Sequence, residues 1–216
     1  MFGLRKNLPP SYDQELGIEG NFERFLEWGL ALKHPQVQIP EIGEQLGFGV
    51  RIHPIGFMVV YLSQPSRGML TMNTYGSVRA DVFPRGVQYE DDIHSHGFDF
   101  HSGIIEGELG NTRHYPDWGH GVSDGSGYVG YETRVDFEGN NHTVQATDAT
   151  VVISRSEAEE LSRGDTYTMA PRDEFHSVSS EGDTVTIFCK TPTYEGHDGL
   201  ALVLKKPGLP TPPETY

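Results

Sequence analysis

The chain has 216 residues, with 16 Lys+Arg against 31 Asp+Glu and a formal net charge of −15. That acid excess argues against nucleic acid or an anionic membrane surface as a partner, because phosphate contacts need clustered Lys and Arg. A single Cys excludes an intrachain disulfide, and an aromatic content of 11% excludes a disordered chain. No apolar run approaches the ~20 residues of a membrane span. The first residues carry no apolar signal core, so a cytoplasmic location is expected.

The chain opens with a helical pattern. In NFERFLEWGLALKH, residues 21–34, Phe22, Phe25, Leu26 and Gly29 recur at helical spacing. Asn21 is placed to cap this helix and Pro35 to stop it. A short second helix is expected over 40–46, with Pro at its first turn and Gly47 behind it. From about residue 50 the pattern becomes short β segments punctuated by Gly, Pro, Asn and Asp. The expected strands cover 56–63, 68–75, 77–83, 87–96, 100–109, 128–137, 143–153, 165–170, 176–180, 184–190 and 200–205. One or two helical turns are expected at 154–161, and a Gly-rich surface loop at 116–130. Many short strands at close spacing imply a sandwich or barrel. The expected organisation is a helical arm (1–49), an all-β domain (50–205) and a Pro-rich tail (206–216).

Most of the ten His are isolated. His94 and His96 are not. Two residues apart on a strand, they project from one face and offer two adjacent imidazoles to a metal ion. Cys189 lies among alternating strand residues and reads as a buried apolar filler. Asp91–Asp92 and Glu106/Glu108 read as exposed turn charges rather than acid–base groups. No G-x-S-x-G is present for a serine nucleophile.

His94, His96 and Gly107 resemble the first motif of the cupin superfamily, H-x-H followed by a Glu and then a Gly. Gly164, Asp165, Pro171 and His176 resemble its second motif, with Asp173 where a Gly is usual. The resemblance covers roughly 50–205. It implies an all-β cupin fold, a double-stranded β-helix or jelly-roll barrel, and a metal held by His94, His96 and His176. The usual Glu is absent: strict spacing places Phe100 there, and a gap longer by one places His101. Counting from Gly107 favours Phe100 and a three-His set, with His101 a fourth ligand only if a bulge re-aims it.

A three-His site without Glu is similar to the cysteine-dioxygenase-type branch of that superfamily. Ile93 before the H-x-H, the turn through Gly107 to Leu109, His176–Val178 and Thr191–Pro192 carry this likeness. It implies Fe(II), O2 and a small anionic substrate such as a thiol, in a metal-dependent oxidoreductase. Zn, Ni, Mn or Cu in an isomerase or lyase, and a non-catalytic binding protein, are the alternatives. Arg79 stands near where that branch has an Arg for the substrate carboxylate. Where the branch has a Tyr near the metal, this chain has Cys189 and Lys190. The arm and tail could strap a homodimer.

Overall fold

The computed structural model describes residues 8–53, 56–63, 77–90, 92–118, 127–136, 141–170, 174–191 and 201–206. The expected strand at 68–75 and almost all of the tail lie outside them. A 3-10 turn (Gln14–Leu16) leads into α1 (Gly17–Leu30), and α2 (Pro35–Leu46) follows. Among the described residues thirteen strands come next: β1 (Val50–Ile52), β2 (Met58–Tyr61), β3 (Ser77–Phe83), β4 (Tyr89–Glu90), β5 (Ile93–His94), β6 (Phe100–Glu106) and β7 (Glu108–Trp118). They continue with β8 (Tyr128–Asp136), β9 (Asn141–Ser162), β10 (Thr166–Met169), β11 (Phe175–Ser180), β12 (Thr184–Lys190) and β13 (Ala201–Lys205). The all-β architecture with a helical N-terminal arm expected from the sequence is therefore present.

The strands form two antiparallel sheets. One has the order β1-β2-β3-β12-β6-β10. The other has the order β4-β11-β5-β13-β8-β9-β7, and β7 also pairs with β11. That last pairing closes a circuit through β11, β7, β9, β8, β13 and β5, so the long β7–β9 ribbon leaves no open edge there.

Strand parity divides the first sheet into two working faces. Val78, Ala80 and Val82 of β3, Ile105 of β6, and Val185, Ile187 and Cys189 of β12 face outward and form one core with Phe22, Phe25, Leu32, Ile39 and Ile42 of the arm. Gly29 and Gly43 let the helices approach: a Cβ on Gly43 would lie 2.3 Å from Val60 Cγ1. The opposite face turns Phe83, Phe100, Ile104, Tyr167 and Phe188 toward Leu109 and Leu161 of the second sheet. Gly107 ends β6 at φ +79, and a Cβ there would meet the Asp183 carbonyl at 2.3 Å, so the turn requires glycine.

Several local expectations change. The first helix begins at Gly17 rather than at Asn21. Asn21 is buried, accepting from Asp13 N and donating to the Asp13 and Gly17 carbonyls. Pro35 does not stop a helix but starts α2 at its first turn, a position whose missing N–H goes unused. The helical turns expected at 154–161 are strand. Arg155 to Leu161 each pair with β7, Ser154 falling at a register shift, and cross-strand bonding overrides the helical propensity of Glu and Ala. The expected loop at 116–130 begins later, since β7 runs to Trp118. The expected strand 87–96 splits into β4 and β5, which end before His96.

Candidate metal centre

His94 ends β5 and pairs directly with His176 of β11. His96 follows two residues beyond, outside the ladder, yet its ring stays 4.7 Å from that of His94 and 5.2 Å from that of His176. Each of the three offers a ring nitrogen, and these nitrogens all lie within 4.8 Å of one another. His96 Nε2 and His176 Nε2 are 3.0 Å apart.

The hydrogen bonds fix which nitrogens face inward. His94 Nδ1 lies 2.8 Å from the Asp92 carbonyl, which can only accept, so Nδ1 carries the proton and Nε2 keeps its lone pair. Asn111 Nδ2 donates to Glu159 Oε1 at 2.7 Å. The Asn111 amide oxygen therefore faces His176 Nδ1 at 3.0 Å, and that nitrogen must carry its proton too. Asn111 is fully buried. Burial first, and then the neighbouring His94, hold His96 and His176 well below the usual imidazole range, so both are neutral near pH 7.

This donor set fits a transition-metal ion. Two nitrogens at ~2.1 Å from one ion and at right angles to each other lie roughly 3 Å apart, close to the 3.0 Å of His96 and His176. Carboxylate and carbonyl partners behind metal-binding histidines commonly fix their orientation, and Asp92 and Asn111 stand in those places. The set carries no negative charge.

Phe100 occupies the remaining side, its ring 4.8 Å from His96 and 5.8 Å from His176. His101, one residue on, faces outward against Phe22 of α1 with ring centroids 5.3 Å apart. Among the described residues His101 is not in the histidine group. Of the second motif, Pro171 and Asp173 lie outside the described residues, as do Pro192 and Asp91.

A cavity of about 80 Å³ adjoins the three histidines. That volume holds several waters, or a ligand of few heavy atoms. Phe57, Phe83 and Phe188 line it, with His53, Arg79, Asp81, Ser102 and Tyr167. Arg79 does lie on this wall, but its charge is engaged: Nε is 2.9 Å from Asp81 Oδ1 and Nη2 is 3.0 Å from Oδ2. Its guanidinium also lies over Phe188, 4.2 Å from the ring centre. Burial pushes the Asp81 carboxyl up, and Arg79 opposes that rise. Burial raises the Tyr167 phenol, which hydrogen-bonds with Ser102 and stays protonated. Burial, with Arg79 and Arg51 nearby, lowers His53 to about 3. Cys189 lies on the other face, against the Ile18 carbonyl, its thiol pushed up to about 12 by burial.

Sequence reasoning missed Asn111, Glu159, His53 and Tyr167. Asn111 and Glu159 meet across 48 residues and His176 and Asn111 across 65, so no local spacing could reveal them. Tyr167 was legible only through strand parity, sitting opposite Ser102.

No family model matches this chain, and no curated protein matches it. Solved structures do. An RmlC-like cupin from Shewanella frigidimarina NCIMB 400 is 17% identical over 71% of this chain and 89% of that one, with a TM-score of 0.37. A cupin-like protein from Thermotoga maritima MSB8 is 14% identical over 70% and 77%, with a TM-score of 0.37. The DMSP lyase DddQ from Ruegeria pomeroyi DSS-3 is 12% identical over 83% and 72%, with a TM-score of 0.42. At such identities and TM-scores these likenesses say nothing of activity or ligand. Among the described residues no helix is long and apolar enough to cross a membrane.

Proposed function

We propose that this chain is a metal-dependent cupin-type enzyme, an Fe(II) oxygenase acting on a small anionic molecule such as a thiol. One observation carries the reading: three imidazoles converge beside a small cavity, and the side chain packed against them at the position after the first motif is Phe100 rather than a carboxylate. Such a set leaves the charge of a divalent ion to be balanced by the substrate. Bound there, Fe(II) would supply the redox chemistry that activates dioxygen beside an anionic donor.

The chain's own residues prepare the site. Asp92 and Asn111 hold the His94 and His176 tautomers, so no rotation is needed when the site is filled. Phe98, Phe100 and Phe188 pack edge-on and stacked at 4.6–6.2 Å and form an apolar side of the site. Tyr167, protonated and 6.2 Å from the His176 ring, is a proton donor at the cavity wall. That phenol also favours a second reading, a lyase or isomerase in which Zn, Mn or Ni acts as a Lewis acid and Tyr167 moves the proton.

Elemental analysis followed by oxygen uptake against small thiols, amino acids and diketones separates the two. Iron at one equivalent per chain with thiol-dependent oxygen uptake is the expected result. Stoichiometric Zn or Ni with no oxygen uptake for any of them overturns the oxygenase.

A further inference from the structure

β5 is two residues long, too short to hold its own place, so His94 and His96 are set by what grips the segment around them. On one side β11 meets that segment at the His94–His176 pair. On the other side β13 takes it from Asp92 to Ser95. Val203 and Leu204 pair with His94 and Ile93. Ser95, between the two histidines and 1% exposed, donates its N–H to the Leu202 carbonyl at 2.9 Å, and its Oγ accepts from Leu202 N at 3.2 Å. That grip carries the chain past the end of β5 toward His96. Lys205 adds the contact at the other end, with Nζ 2.6 Å from Asp92 Oδ2.

The Lys205–Asp92 pair is better sheltered than an ordinary surface pair. Its side chains are 15% and 32% exposed, so water and salt screen it less. Lys205 itself pairs with Val129 of β8, so the ammonium is presented from a fixed backbone. Asp92 lies just outside the ladder, and its carbonyl accepts from His94 Nδ1 at 2.8 Å. An ion pair on the Asp92 side chain thus steadies the peptide that orients the imidazole.

We infer that Lys205 is a positioning residue of the metal site: through Asp92 it holds the His94 ring with Nε2 free for the ion, and β13 thereby completes the ligand set. The inference rests on the metal-site reading above and adds to it the element that keeps the H-x-H segment in place.

The test combines Co(II) competition against a chromophoric chelator with long-range proton–nitrogen NMR of the metal-free protein. In wild type at about pH 8, where a free imidazole is neutral, His94 is protonated at Nδ1 alone. Lys205→Met mixes the two tautomers and weakens Co(II) binding about tenfold, the lower end of what loss of an outer partner costs a metal site. Lys205→Arg keeps the charge and stays within about threefold of wild type. Asp92→Asn leaves the carbonyl in place and breaks the pair, so its loss matches that of Lys205→Met and the double variant loses no more than either. Lys206→Met removes an exposed cation one position on and stays within about twofold of wild type. A merely structural ion pair would lower the melting temperature of Lys205→Met and leave the His94 tautomer and the Co(II) affinity unchanged, and that result overturns the inference. Losses that add in the double variant, or an equal loss in Lys206→Met, overturn it too. A wild type that binds no Co(II) overturns the metal reading, while the NMR of the metal-free protein still decides whether Lys205 orients His94. Asp92→Asn carries both readouts, so a poorly folding Lys205→Met leaves the inference open to refutation.

Discussion

Asn111 provides the sharpest test of the candidate site, because it touches no ligand position and acts only through His176. In Asn111→Leu the volume is roughly kept, while the acceptor for His176 Nδ1 is lost. His176 is 3% exposed, so its N–H would be buried without a partner, a loss of about 1–3 kcal/mol. Glu159 is exposed and rehydrates, adding little. At about 2–4 °C per kcal/mol for a chain of this size, the apo protein should melt roughly 2–12 °C lower. The freed imidazole can also move its proton to Nε2, the nitrogen facing His96, and metal affinity should fall about 10–100-fold. Asn111→Asp keeps an acceptor for His176 but sets a second carboxylate beside Glu159. It should lose stability while holding metal affinity within about threefold of wild type. Thermal melts and Co(II) competition against a chromophoric chelator measure both. If Asn111→Leu melts lower yet binds Co(II) within twofold of wild type, the tautomer argument is wrong and Asn111 is only a packing group.

Two further predictions follow from strand parity and from burial. His101→Gln should keep one Co(II) per chain after dialysis, whereas His94→Gln, His96→Gln and His176→Gln should each lose it by elemental analysis; loss in His101→Gln would show that β6 turns His101 inward. His53, lowered to about 3 by burial, stays neutral in the folded protein while the unfolded chain takes up a proton near its ordinary 6.5. The stability it contributes is thus complete above about pH 6.5 and is lost as pH falls from there toward about 3. At ~1.4 kcal/mol per pH unit, the step from 6.5 to 5 amounts to about 2 kcal/mol, and urea unfolding of His53→Leu at pH 7 and pH 5 should lack that decline. An equal decline in both proteins would refute the assignment.

The site was legible in the sequence to the extent that strand parity is local. His94 and His96 were found by their spacing, and Phe100 was separated from His101 by counting back from Gly107. The structure puts the two on opposite faces of β6, as that count requires. His176 needed the second motif, since nothing around it is repetitive. What stayed hidden is what arises only when distant strands pair. The Asn111–Glu159 support exists because β7 lies between β9 and β11. The stretch 154–161 misled for the same reason: its Glu and Ala favour a helix in isolation, and the ladder to β7 exists only in the folded sheet. The arm was misjudged at its ends because Asn21 serves a turn that precedes the helix rather than the helix itself.

Charge ties these pieces together. Three imidazole ligands give a divalent ion donors but no compensating charge, and the wall of Phe98, Phe100 and Phe188 beside them is apolar. Among the described residues the one carboxylate lining the cavity, Asp81, is spent on Arg79. An ion bound there keeps its full charge until an anion arrives, and an anion finds a divalent charge only when the ion is present. Metal and anion must therefore bind with positive coupling, and linkage requires the factor to be the same in both directions. Co(II) affinity measured with and without saturating succinohydroxamate should rise about tenfold or more, and succinohydroxamate affinity should rise by that same factor between apo and Co(II)-loaded protein. Phe100→Glu, which places a carboxylate beside His96, should raise Co(II) affinity alone and shrink the coupling. Equal coupling in wild type and Phe100→Glu would mean that the missing carboxylate is not what makes this site depend on its ligand.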